Sequence, residues 1–309
     1  MKKILTGPVR GSFTLLVYAV NTVVCAIPIL GTAMLKLIFP VSFWRRICDK
    51  ILNGLAGTWV KINKMNQRIL GRVRLDVRGL DRIKKKEWSL VLSNHQSWVD
   101  ILVLQNVFSG KIPFLKFFIK KELFWIPLLG QTWWALDFPF MKRYSRKFLE
   151  KYPHLKGKDM EITRRACEKF KHIPISIMNF VEGTRFSKKK RKEQDSQYRH
   201  LLNPRAGGIA HVIMAMEGRL KRILDVTIVY PEGVKNNFWN FLCGRLGDIK
   251  VKVKSIHISK DLVGDYVDDR DFRAHFQKWL NDLWEEKDRR IEALVAESRV
   301  LNPRADRPI

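Results

Sequence analysis

The sequence predicts an α/β fold, a sheet flanked by helices, preceded by an N-terminal membrane-embedded helical hairpin. Three observations carry that prediction. Residues 88–100, WSLVLSNHQSWVD, read as a buried strand that runs out into a polar turn and then into a helix-like apolar segment. Residues 174–186 repeat the pattern, with PISIMNFV ending in the small polar turn EGTRF. Strands that end in polar turns before helices are where α/β folds expose reactive side chains on a rigid base. Near the N-terminus, no residue between Gly11 and Leu35 is charged, a run long enough to cross a bilayer as a helix.

Composition narrows the function classes. A chain of 309 residues with 46% hydrophobic content is not mainly disordered and can bury one good core. Lys and Arg outnumber Asp and Glu by 58 to 30, for a net charge of +28. Such an excess calls for a polyanionic partner: nucleic acid, an anionic membrane surface, or phosphorylated substrates. Cys25, Cys48, Cys167 and Cys243 are scattered, with no C-x-x-C and no paired His spacing, which suggests a reducing compartment and argues against zinc.

Taken in order, the chain divides into expected units at 1–70 (membrane-associated helices), 71–260 (α/β domain) and 261–309 (amphipathic helix and polar tail). The uncharged run is too long for a signal-peptide core and is followed by Lys36, Arg45 and Arg46, which favours a retained membrane segment. Pro28 and Gly31 are expected to interrupt it, because a mid-helix proline removes a hydrogen bond and forces a bend. Basic residues on both flanks leave the positive-inside bias without a direction. A kinked hairpin that dips in and returns to the cytoplasmic face fits both facts, and a single span is the alternative.

Residues 41–70 place Trp44, Ile47, Ile51, Leu55, Trp59 and Ile62 at helical spacing opposite Arg45, Arg46, Lys50 and Lys61. This helix would either cover the core or lie in the headgroup layer. VRLDV at 73–77 alternates as a strand, and 81–87 forms a charged turn. The segments 112–119, 123–130 and 133–140 interleave aromatics with lysines and arginines, as core with solvated edges or as a greasy groove with an anion at its mouth. Residues 159–171 form an amphipathic helix and 187–200 a mobile basic surface loop. A helix comes next at 209–216 and a strand at 223–230. KVKVKSIHI at 250–258 is expected at a sheet edge with its lysines in solvent, and 271–298 form an amphipathic helix.

The chemistry lies in the two polar turns. His95 and Asp100 are five residues apart, on a turn and at a helix start. A carboxylate there can fix one imidazole tautomer and stabilise the ring when it takes a proton. The same residues also suit a structural hydrogen bond and a helix N-terminal charge. In the second turn, Gly183 lets the backbone come close to a ligand, Thr184 can donate, and Arg185 can fork onto a phosphate. An ordinary strand-end turn with a surface arginine is the alternative.

Together the two turns have the forms N-H-x-x-x-x-D (SNHQSWVD) and E-G-T-R (FVEGTRF). From about Trp88 to Pro231 the chain resembles the glycerolipid acyltransferases, the PlsC-type 1-acyl-glycerol-3-phosphate acyltransferases and their lysophospholipid-acylating relatives. Phe140-Met141-Lys142-Arg143 fits the family's second block without its usual upstream glycine, and an apolar strand ending in Pro231 takes the place of the fourth. SNHQSWVD, ELFWIPLLG and NFVEGTRF look closest to the lysophospholipid-acylating branch.

The resemblance implies a glycerolipid-acyltransferase-like sheet and transfer of a fatty acyl group from acyl-CoA or acyl-carrier protein to a free glycerol hydroxyl. It makes His95 the general base and Asp100 its orienting partner. Arg143, Glu182, Gly183, Thr184 and Arg185 would hold the acceptor's phosphate and shape the site. No cofactor, metal or covalent enzyme intermediate is expected. The catalytic domain would face the cytoplasm on a membrane, a bacterial inner membrane by preference, and nucleic acid is not the expected partner. Two other classes remain open: a basic membrane-associated nucleic-acid-binding protein, and a hydrolase using the same His and Asp on water.

Overall fold

The computed structural model describes residues 2–39, 41–81, 83–141, 151–152, 158–170, 173–231 and 238–301. Two long helices come first, α1 (Lys2–Ile38) and α2 (Ser42–Ile69). Asn21 Nδ2 donates to Trp59 O at 3.1 Å and to Asn63 Oδ1 at 2.8 Å. Asn66 Nδ2 donates to Thr14 O at 3.2 Å, and Lys36 Nζ lies 2.5 Å from Asp49 Oδ1. Partner numbers fall along α2 as they rise along α1, so the helices run antiparallel.

The hairpin is therefore built differently from the sequence expectation. α1 continues unbroken through Pro8 and Pro28, and the chain reverses between it and α2. A proline removes one donor from the ladder. Burial of Ala26, Ile29 and Ala33 keeps the helix together on the far side of Pro28. α2 covers the core with one face, burying Cys48, Leu52, Ala56 and Trp59.

The α/β part comes next as β1 (Leu75–Arg78), β2 (Ser89–Ser93), α3 (Val99–Phe108), β3 (Leu115–Phe117), β4 (Ile119–Lys120), α4 (Leu129–Ala135) and β5 (Phe140–Met141). It continues with α5 (Lys158–Phe170), β6 (Ser176–Phe180), α6 (Lys188–Glu193), α7 (Gly207–Ala215), β7 (Arg222–Val229), α8 (Phe238–Leu242), β8 (Ile249–His257) and α9 (Arg270–Leu301). Six strands form one sheet in the order β1-β8-β7-β2-β6-β3, and β4 and β5 pair separately. All pairs in the large sheet are parallel except β7 with β8.

The alternation of β2 separates two cores. Leu90 and Leu92 face a layer holding Phe170, Ile209, Ile213, Phe276 and Trp284 from α5, α7 and α9. Val91 faces the opposite layer, with Val103, Leu104 and Phe108 of α3, Phe241 of α8, and Tyr18 of α1. Being covered on both faces is why β2 reads as a continuous apolar run rather than an alternating one. After β2 the chain moves to β3 and β6 on one side, then crosses to β7 on the other. β2 is thus a topological switch point, and a crevice opens beyond its C-terminal end.

Two sequence expectations are corrected here. The lysine-alternating strand is not an edge strand, because β1 pairs outside it and places β8 between β1 and β7. Its lysine face meets α9 instead of bulk water. Lys254 Nζ sits 2.8 Å from Glu286 Oε2, and the buried Lys250 sits 3.4 Å from Glu297 Oε1. The basic segment 187–200 is not a loop either. Ser187 Oγ accepts the Lys190 N–H at 3.2 Å and caps α6. Tyr198 is buried in the core, and the Arg199 and His200 N–H groups donate to Asp288 at 2.9 and 2.8 Å.

Candidate active site

Parallel pairing puts the two polar turns at the same end of the sheet. β2 and β6 run side by side in register, Ser93 opposite Phe180, so the turns at their C-terminal ends emerge on the same rim. Asn94 prolongs the join on the other side. Its amide accepts the Ile228 N–H and donates to Ile228 O, both at 2.9 Å, standing in for a strand residue where β2 stops. His95, the next residue, is thereby presented at the crevice.

The imidazole is held on three sides. His95 Nδ1 lies 2.9 Å from Asp100 Oδ2, and the ring stacks on Phe180 with centroids 3.7 Å apart and planes 9° apart. The His95 carbonyl accepts the Phe186 N–H at 2.7 Å. Asp100, in the first turn of α3, is fully buried. Its Oδ2 also accepts the Gln96 and Ser97 N–H groups at 2.6 and 2.8 Å, while Oδ1 accepts the Tyr230 hydroxyl at 2.6 Å. Burial and the adjacent Asp100 charge push the Tyr230 hydroxyl well above its ordinary pKa, so it stays protonated and donates. A carboxylate bound to Nδ1 leaves Nε2 as the nitrogen free to take a proton.

Glu182 ties the second turn to the first. Its Oε1 accepts the His95 N–H and its Oε2 the Leu202 N–H, each at 3.0 Å. The side chain is completely buried, and burial pushes its pKa up to about 8, against the pull of those two N–H groups and of Lys287. Gly183 takes φ +69°, the left-handed region where a Cβ is penalised, which lets the turn fold back behind β6. Thr184 Oγ1 accepts from Lys190 Nζ at 2.7 Å, and the same ammonium donates to Arg185 O at 3.1 Å, pinning α6 against the turn. Arg185 is exposed and lies over the Trp98 ring, 4.7 Å from its centroid.

The structure therefore brings His95, Asp100, Glu182, Gly183, Thr184 and Arg185 to one rim. Arg143 lies outside the described residues. Sequence reasoning missed Tyr230, Phe180, Asn94 as a strand substitute, Trp98, Lys190 and Lys287. Of these only Tyr230 carried a signal, a hydroxyl at the last position of an otherwise apolar strand. Among the described residues no three His, Cys, Asp or Glu side chains converge as a metal site. A cavity of about 350 Å³ lined by Gly54, Val60, Phe108, Phe114 and Leu115 sits at the other end of α3, away from His95.

Comparison with known proteins bears on what this rim belongs to. The family model described as Acyltransferase matches residues 74–235. The mouse protein 1-acyl-sn-glycerol-3-phosphate acyltransferase epsilon is 26% identical over 230 residues, covering 68% of this chain and 58% of its own length. The human gamma enzyme of the same name is 25% identical over 215 residues (66% and 52%), and protein 3 of Arabidopsis thaliana is 26% identical over 223 residues (67% and 54%). The chain thus spans little more than half the length of these curated relatives. The crystal structure of the 1-acyl-sn-glycerophosphate (LPA) acyltransferase PlsC from Thermotoga maritima superposes with a TM-score of 0.54 at 18% identity, covering 95% of this chain and 98% of that one, a likeness of fold.

Proposed function

The chain belongs to the acyltransferase family, and on that premise we propose that it moves a fatty acyl group from a thioester to the free hydroxyl of a lysophospholipid or lysophosphatidic acid. The observation that carries the proposal is the His95–Asp100 pair at 2.9 Å on the same rim as the Gly183–Arg185 turn. A glycerol hydroxyl is too weak an acid to attack unaided, and a positioned base contributes about a hundred- to ten-thousand-fold.

In this mechanism His95 Nε2 takes the hydroxyl proton as the oxygen attacks the thioester carbonyl. The new C–O bond forms, the C–S bond breaks, and the imidazolium returns the proton to the departing thiolate. Asp100 holds the Nδ1 proton throughout and balances the transient ring charge. No enzyme nucleophile is acylated, since the thioester is already activated. Arg185, kept flat against Trp98, offers a guanidinium face to the acceptor's phosphate, and Arg143 would join it. The donor is acyl-CoA or acyl-carrier protein, and the exposed Lys188, Arg191 and Lys192 on α6 supply positive charge beside the site.

Membrane association is part of the same proposal. The segment Gly7–Ile38 is long and apolar enough to cross a membrane. Phe13, Leu16, Val20, Val24 and Ile27 of α1 are exposed, an apolar stripe that lipid would cover. The α/β domain would then face the cytoplasm of a bacterial inner membrane. The test is transfer from labelled acyl-CoA to a panel of lysolipids with wild type and His95→Ala. Diacyl product that disappears in the variant supports the proposal. Free fatty acid without diacyl product would convert it to hydrolysis, and transfer unaffected by His95→Ala would remove the base.

A further inference from the structure

The C-terminal helix carries a charge that the proposed mechanism has not used. Lys287 of α9 is fully buried and reaches through the core to the underside of the reactive rim. Its Nζ donates to Val226 O at 2.5 Å and to Leu92 O at 3.4 Å, on the two adjacent strands β7 and β2. Asp225 Oδ1 lies 2.5 Å away as its ion-pair partner, and the Trp284 ring centroid is 4.7 Å from the ammonium. Three neighbouring acceptors match the three donors of a charged ammonium. Trp284 Nε1 in turn donates to Leu202 O at 3.1 Å, on the residue whose N–H binds Glu182.

A buried ammonium beside its own carboxylate costs desolvation that apolar residues of the same volume would avoid. Asp225 is already paired with Arg290 at 2.8 Å, so Lys287 is not needed to neutralise it. What Lys287 adds is a positive charge beneath Leu92, two residues before Asn94 and three before His95.

We infer that Lys287 is a positioning residue: it holds Glu182 as a carboxylate, so that both Glu182 oxygens accept the N–H groups that fix the His95 backbone and the Leu202 segment. A protonated Glu182 would turn one oxygen into a donor facing an N–H, and the His95 turn would lose that support. The charged and titratable groups around Glu182 are His95 and Asp100 from the β2–α3 turn, Asp225 from β7, and Lys287 and Arg290 from α9. Asp100 and Asp225 favour the neutral acid. Lys287 is the cation whose attraction acts on Glu182 directly.

This inference rests on the acyl-transfer proposal and is tested separately from it. The measurement is the pH profile of kcat/KM in wild type, Lys287→Met, the double variant Asp225→Asn/Lys287→Met, and Glu182→Gln with and without Lys287→Met. The Asp225→Asn/Lys287→Met variant removes both members of the pair, which protects the fold against an uncompensated buried charge, and thermal unfolding is followed for each protein.

Without Lys287 the acidic limb should move up by about one pH unit or more, cutting activity at neutral pH about tenfold while high pH restores it to within about twofold. In the Glu182→Gln background, Lys287→Met should shift the limb no further. A rate loss equal at every pH, or the same shift with and without the Glu182 carboxylate, would overturn the inference. Absence of transfer by wild type at any pH would overturn the acyl-transfer proposal instead.

Discussion

Asp100 accepts four contacts on two oxygens: His95 Nδ1, the Gln96 and Ser97 N–H groups, and the Tyr230 hydroxyl. In Asp100→Asn the amide oxygen can serve the crowded side and its NH₂ can donate to Tyr230, so the fold should survive. The imidazole loses its charged partner, and turnover should fall about a hundredfold or more while circular dichroism stays as in wild type. Tyr230→Phe leaves Asp100 Oδ1 unpaired in a buried setting, which should cost about 1–3 kcal/mol in chemical denaturation and lower turnover less than Asp100→Asn does. The His–Asp pair was legible because both partners lie within one short stretch of sequence. Tyr230 was not, since nothing local reveals that a strand 130 residues later ends beside Asp100.

Glu182 gives a prediction of stability against pH. Burial raises its folded-state pKa from 4.5 to about 8. The folded state therefore holds the proton more tightly than the unfolded chain does. The associated stability is fully present below about 4.5 and is lost as pH rises through about 8. Urea midpoints of wild type should decline across that window relative to Glu182→Gln, which has no proton to lose. A wild type and variant that decline in parallel would mean that Glu182 does not titrate there. The charge that positions His95 is thus one the fold pays to bury.

At the scale of elements, the decisive joint is the end of β2. Its ladder with β7 extends to Ser93 opposite Val226, and the Asn94 side chain then takes over both polar groups of Ile228. Asn94→Ala should strand a buried N–H and a buried carbonyl together, costing about 2–4 kcal/mol by thermal unfolding, with greater loss of activity than of fold. Which segments are strands and which are helices was readable from periodicity, because β2, β6, α2, α3 and α9 each keep a regular apolar pattern. Sheet order was not. KVKVKSIHI carries an edge-strand pattern, yet its lysines are answered by Glu286 and Glu297 from a helix distant in sequence. The basic run after Arg185 reads as a loop until the Ser187 cap and the burial of Tyr198 are seen in three dimensions.

For the whole molecule, the outward stripe of α1 makes a separable prediction. Phe13, Leu16, Val20 and Ile27 are exposed, so Leu16→Glu/Val20→Glu/Ile27→Glu should fold as wild type does while vesicle co-sedimentation falls about tenfold or more. Turnover on a short-chain, water-soluble lysolipid should stay within about twofold of wild type, since no helix residue of that stripe approaches His95. Retained sedimentation would place the contact on α2 or on the exposed Trp125 and Trp134 instead.

The inner side of α1 has a different consequence. It is bonded to α2 through Asn21 and Thr14, its Tyr18 enters the core beside β2, and its Lys36 reaches Asp137 beyond α4. Anchor and catalytic body consequently share one rigid frame, with no swivel between them. The depth at which the protein settles in a bilayer fixes the height of the imidazole above the lipid, and each incoming lipid must be lifted by that same amount before its hydroxyl can react.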